Sequence, residues 1–462
     1  MNYGKVISRR KAHPALPFVI CFLAVSYVLL YEWGLFDAEA LGTPVTVAKL
    51  LIPALLLVLI PMKRPPSRAF KSFMLFYLLF MIWGIAPGLA SGEFLETGLV
   101  WLRYMPRFFF ALLIGLYFLR QPGASIIVMK SLVIIGALTV AQFCLLVPAL
   151  LFNLATEFHS VGFRGATYYG PYGLLGNQTA MMSFPGLSFP VFRLTGFWLE
   201  PSNASGFLFA AFFLARVIYL VEKKRFWRVM SYVCLAGGFL ALSNAGYLAI
   251  AAPILFACLF MKKSGGKIVY VVILTTLALG LAYFAVRGRT LVNEQYSDSA
   301  GLKALAGARV GTELDPYSGR VELFQKNMDL LVSNPFGIGM QISGEGHYED
   351  ASQSAPIQWL AYTGIIGLGL LLLREYQVMI IAIKYSRQSP IIMAVSQAWL
   401  AMFVHHLGYG TWMTPGYLAL CAFVTSTVFH YAQASNTVPA TVTQLELRHA
   451  LVTKPKRRGL ST

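Results

Sequence analysis

Apolar runs long enough to cross a bilayer recur along the whole 462-residue chain. A hydrocarbon core takes about 20 consecutive apolar residues in helical form. Twelve runs meet that requirement, near 15–33, 45–62, 70–88, 98–119, 124–152, 203–221, 227–243, 245–261, 268–286, 355–383, 390–408 and 413–431. They are continuous rather than alternating, which argues against an outer-membrane barrel. Only 12% of residues are charged, about half the usual share of a soluble domain. The expected fold is an all-α polytopic membrane protein with about twelve transmembrane helices and two long loops on one side.

Charge placement gives the expected orientation. Basic groups fall on every second connection: Arg9, Arg10 and Lys11; Lys63, Arg64 and Arg68; Arg120; Lys223, Lys224, Arg225 and Arg228; Lys262, Lys263 and Lys267; Lys384 and Arg387. The tail adds Lys454, Lys456, Arg457 and Arg458. The intervening connections carry Asp37, Glu39, Glu93 and Glu96. The positive-inside rule then puts both termini in the cytoplasm. The net charge of +18 belongs to this pattern, and no nucleic-acid partner is expected. The first apolar run has no clear small-residue cleavage site, so it reads as a span rather than a leader. All five cysteines lie inside apolar runs, which predicts neither a disulfide framework nor a zinc site.

The expected organisation is a basic N-tail (1–14), five spans (15–152), a first outer loop (153–202), four spans (203–286), a second outer loop (287–354), three spans (355–431) and a basic C-tail (432–462). Loops of this length are usually functional or disordered. The first is rich in Gly, Tyr and Phe, too aromatic for simple disorder. In the second, Val321, Phe324, Met328 and Leu331 share one helical face over 319–333, predicting an amphipathic helix. Asn334-Pro335 would stop it.

The outer basic residues are mostly arginine: Arg164, Arg193, Arg287, Arg289, Arg309 and Arg320, against Lys303 and Lys326. A guanidinium stays charged and binds phosphate oxygens through a planar fork. Arg103 and Arg107 lie four apart on one face of the fourth span. An arginine inside a membrane costs roughly 2.5–3.5 kcal/mol on insertion scales. A doubly charged ligand would offset that cost, and snorkelling to the headgroups is the alternative. No carboxylate is expected in the middle of a span. Glu375 comes nearest, read as closer to the cytoplasmic end, and this counts against a proton-coupled pump.

Two residues are candidate bases. Glu200 precedes Pro201 at the start of the sixth span, where it either caps the helix or accepts a proton. His347 sits among Glu345, Glu349 and Asp350. Imidazole titrates near neutral pH, so His347 is either a base or simply solvated. His405 and His406 fall near the outer end of the eleventh span. Adjacent helical residues cannot both face one metal, so no metal site is expected there.

Four sequence pieces then stand out: Arg193-Leu-Thr-Gly-Phe-Trp-Leu-Glu200-Pro201-Ser202-Asn203, Ser318-Gly-Arg320, Asn334-Pro335-Phe-Gly337-Ile-Gly339 and Gly364-Ile-Ile-Gly367. With the two long outer loops they resemble the bacterial O-antigen polymerase and ligase superfamily, the Wzy and WaaL type. The architecture matches over nearly the whole chain, the motifs over a small part. The resemblance implies a metal-independent, cofactor-free glycosyltransferase of the bacterial inner membrane. It would use undecaprenyl-pyrophosphate-linked oligosaccharide, presented by membrane lipid, on the periplasmic face. A chain-length regulator is an implied partner. The pyrophosphate-holding role maps onto Arg193 and Arg320, with Arg103 and Arg107 added from charge placement. Two places depart from the pattern. The ligase His-Asn pair reads Gln353 and Ser354, and the Ser-Arg pair between spans seven and eight reads Ser243-Asn244. Both favour a polymerase over a ligase and leave the base open between Glu200 and His347. A lipid-linked-oligosaccharide flippase is the alternative from another class. Tyr168, Tyr169, Tyr172, Phe197 and Trp198 either stack on sugar faces or pack over the bundle.

Overall fold

The computed structural model describes residues 68–92, 94–101, 122–152, 157–159, 167–169, 176–177, 181–182, 191–196, 198, 201–260, 327–339, 355–387, 390–408, 417–418, 420–421 and 424–425. The elements are α1 (Arg68–Trp83), α2 (Ala86–Ser91), α3 (Pro122–Leu151), β1 (Glu157–His159), β2 (Thr167–Tyr169), β3 (Gly176–Asn177), β4 (Met181–Met182), β5 (Val191–Phe192), α4 (Pro201–Glu222), α5 (Arg225–Leu240), α6 (Asn244–Phe260), α7 (Ala355–Ser386) and α8 (Pro390–Gly408). Seven of the expected spans fall on these helices. The runs at 98–119 and 413–431 are described only in part, and those at 15–33, 45–62 and 268–286 lie outside the described residues.

Among the described residues, five helical stretches are long and apolar enough to cross a membrane: Lys71–Ala90, Ile126–Ala149, Pro201–Glu222, Pro356–Ser386 and Pro390–Gly408. Their faces carry the same message. On α1, Phe73, Tyr77 and Phe80 are buried, while Leu75, Leu78, Leu79 and Ile82 form an exposed stripe. On α7, Ile365, Leu372, Tyr376, Ile380 and Ile383 are exposed at helical spacing. A soluble helix turns its polar side outward. Helices with apolar residues on both sides have the character of a membrane protein.

The centre of the bundle is α4, buried along nearly its whole length. It packs against α3, α5, α6 and α8, while α7 joins α1 to α8. Between α3 and α4, the first long loop contains short antiparallel pairings, β1-β2-β3 and β4-β5. At the far end of α4, Glu222 pairs with Lys130 and accepts the Trp227 indole N–H at 3.0 Å.

One helix is interrupted. Within α7, Gly364 adopts φ 64°, ψ −168°, a region open essentially to glycine alone. The break frees carbonyls that a bundle interior must satisfy. The segment 334–339 supplies the partners: Ile338 N–H donates to Ala361 O at 3.2 Å and Gly339 N–H to Tyr362 O at 3.0 Å. The Trp83 indole donates to Thr363 O at 2.7 Å. In return, Ile365 N–H donates to Pro335 O at 3.1 Å. The helical stretch 327–333 ends at Ser333, as the Asn334-Pro335 stop predicts.

Candidate functional site at the Ser202 end of the bundle

Two motif pairs, each separated in sequence, meet in space. Asn334–Gly339 docks on Gly364 as just described. The second meeting involves the segment around Arg193 that leads into α4. Leu194 N–H donates to Leu240 O at 3.1 Å, tying this segment to the end of α5. The Arg193 guanidinium donates to Leu242 O at 3.4 Å and interacts electrostatically with the Tyr247 hydroxyl. Arg193 therefore stands over the turn between α5 and α6, beside the start of α4.

Beneath it lies a polar chain. Pro201 opens α4, where its missing N–H is no loss. Ser243 immediately precedes α6 and accepts Gly246 N–H at 3.3 Å, the bonding of an N-cap serine. Ser243 Oγ also donates to Ser202 Oγ at 3.0 Å. Ser202 Oγ lies 3.1 Å from His405 Nε2 on α8. A serine hydroxyl has one proton. It also has two lone pairs, so the hydrogen between Ser202 and His405 belongs to either partner according to the imidazole tautomer. All three side chains are buried, Ser202 at 8% and His405 at 1% exposure. Gly206, one turn beyond Ser202, makes room for the imidazole. A Cβ there would lie 2.6 Å from the ring Cγ.

The ring contacts continue inward. His406 meets Tyr417 edge to face, with centroids 5.1 Å apart. The Tyr417 hydroxyl donates to Glu375 Oε2, as does the Trp399 indole at 3.2 Å. Glu375 Oε1 accepts from Arg374 Nε at 2.7 Å and from Arg374 Nη2. The guanidinium lies 5.3 Å from the Tyr77 ring centre and 5.6 Å from that of Phe73. Neither Arg374 nor Glu375 reaches solvent, at 0% and 2% exposure. Arg374 Nη1 has no hydrogen-bond partner among the described residues.

Several expectations change here. Glu375 lies in the C-terminal half of α7, on the expected side, but it is deeply buried and paired. It stands nine residues before Lys384, about 14 Å along a helix, roughly half the hydrocarbon core. An ion pair can sit that deep because each partner satisfies the other. Trp198 is packed on Phe207, with centroids 4.5 Å apart, and is buried, so it belongs to the bundle rather than to a sugar platform. His405 and His406 face different partners. Arg193 is the one predicted site residue among the described residues. Arg103, Arg107, Glu200, Arg320 and His347 lie outside them, as do Tyr172 and Phe197. Sequence reasoning gave Ser202, Ser243 and His405 no role in the chemistry. The available signal was two histidines in an apolar helix, where buried polar groups need partners.

No protein-family model matches the chain, and no curated protein matches it with statistical significance.

Proposed function

We propose that the chain is a polysaccharide polymerase of the bacterial inner membrane. It joins undecaprenyl-pyrophosphate-linked oligosaccharide repeats on the periplasmic face, at the Ser202 end of the bundle. The observation that carries this is the place of Arg193, half-buried at the start of the central helix and braced by the Leu242 carbonyl. In the reaction a hydroxyl of one repeat attacks the anomeric carbon of the other, and pyrophosphate departs. Negative charge grows on the bridging oxygen. A guanidinium already in position stabilises that charge more in the transition state than in the ground state. Arg320, Arg103 and Arg107 are the proposed companions of Arg193. No metal or cofactor is required for this role.

The test is the glycan ladder of strains carrying Arg193→Ala or Arg320→Ala. Polymer is lost while the membrane level of the protein stays unchanged. Normal chain lengths in both strains would remove the proposed role.

A transporter of lipid-linked oligosaccharide is the second reading, favoured by two observations. Interrupted helices and buried intramembrane ion pairs are common in transporters, and Gly364 and Arg374–Glu375 supply one of each. Against it, the chain shows no sign of two related halves.

A further inference from the structure

We infer that the segment 332–336 enters the bilayer. Val332, Pro335 and Phe336, with Ile365 and Ile366 beside them, form an apolar wedge in the acyl chains of the outer leaflet. The partner is a phospholipid surface, and the inference holds whichever reaction the protein performs.

Depth carries the inference. Gly364 stands twenty residues before Lys384, about 30 Å along a helix, which is the thickness of the hydrocarbon core. Trp83, whose indole bonds Thr363 O, stands fifteen residues after Arg68, about 22 Å along α1. Lys384 and Arg68 belong to the basic groups that the positive-inside pattern assigns to the opposite side. Both helices therefore put the place where 334–339 docks at, or just inside, the outer edge of the hydrocarbon layer. The docked segment does not stand in the water above it.

Surface chemistry agrees. Val332, Phe336, Ile365 and Ile366 are exposed, and so is Pro335. An amphipathic helix resting on the bundle accounts for Met328 and Leu331, which are half-buried, but not for Val332 and Phe336 on its other side. The patch continues a surface that already faces lipid. Phe336 meets the Trp83 ring with centroids 6.5 Å apart, next to the exposed Ile82. On the other side Pro335 O accepts the N–H of Ile365, which heads the exposed stripe of α7.

The backbone suits the same medium. Irregular chain near hydrocarbon must satisfy its polar groups within the protein. The N–H groups of Asn334, Gly337, Ile338 and Gly339 all reach carbonyls, on Leu330, Asn334, Ala361 and Tyr362, and proline has no N–H to satisfy. Asp329, exposed one turn before Val332, marks where the apolar surface gives way to headgroups.

The experiment uses the full-length protein in phosphatidylcholine–phosphatidylglycerol liposomes, with its native cysteines replaced by alanine. Spin labels are placed one at a time through Asp329→Cys, Val332→Cys, Phe336→Cys and, as the lipid-facing standard on α7, Leu372→Cys. Collisions with oxygen and with a water-soluble nickel chelate then report depth. Labels at 332 and 336 are expected to meet oxygen and escape the chelate, as at 372, lying about 5–10 Å below the phosphates. The label at 329 is expected to meet the chelate. A second measurement spares the cysteines. A benzophenone amino acid at position 332 or 336 of the otherwise wild-type chain is expected to cross-link to phospholipid on illumination. Labels at 332 and 336 as open to the chelate as that at 329, or a folded benzophenone protein that gives no lipid adduct at either position, would overturn the inference.

Discussion

At the scale of single residues, Glu375 shows why a buried charge is tied rather than loose. Its two oxygens take Arg374, Trp399 and Tyr417 as donors, so four parts of the chain converge on one carboxylate once the Tyr77 ring over Arg374 is included. Removing one partner strands the other. Glu375→Gln is expected to cost about 3–5 kcal/mol, read as a lower thermal midpoint in detergent. Adding Arg374→Met to it restores most of the loss, because no unpaired charge is then left buried. If the double variant is no better than the single one, the pair is not the origin of the effect. Gly206 gives a second prediction. Gly206→Ala presses on the His405 ring and should cost about 1–3 kcal/mol, checked by the same melt. Little of this was legible beforehand. Hydropathy places Glu375 within a run but not its depth, and it gives no hint that Ser202, Ser243 and His405 meet from three helices.

At the scale of elements, sequence reading worked best where periodicity and punctuation agree. Pro201 opens α4, Pro390 opens α8 and Asn334-Pro335 follows the helical stretch 327–333. The break at Gly364 was different. Its Gly-Ile-Ile-Gly sequence reads as an ordinary span start, because a long-range partner creates the need for the turn. The segment 334–339 takes the freed carbonyls only if Gly364 leaves the helical region. Gly364→Ala is therefore expected to destabilise by about 1–3 kcal/mol. Gly369→Ala, five residues on where a Cβ would meet nothing within 4 Å, should be neutral or stabilising by up to about 1 kcal/mol. Paired thermal melts decide this, and equal behaviour of the two would contradict the assigned role of the break.

At the scale of the whole molecule, composition and run length reveal membrane character with little ambiguity, since apolar residues lie on both faces of α1 and α7. Function is harder to read. The motifs are short, and their meaning depends on which of them end up together. The proposed topology puts Arg193, Ser202 and His405 on the periplasmic side and both tails in the cytoplasm. Reporter enzymes that are active only outside the cytoplasm should then be silent when fused at either terminus. The most direct measurement is made in liposomes with lipid-linked repeats confined to one leaflet. The account predicts longer glycan chains on that leaflet, with no repeats appearing on the other. Repeats crossing to the second leaflet without any chain growth would contradict it.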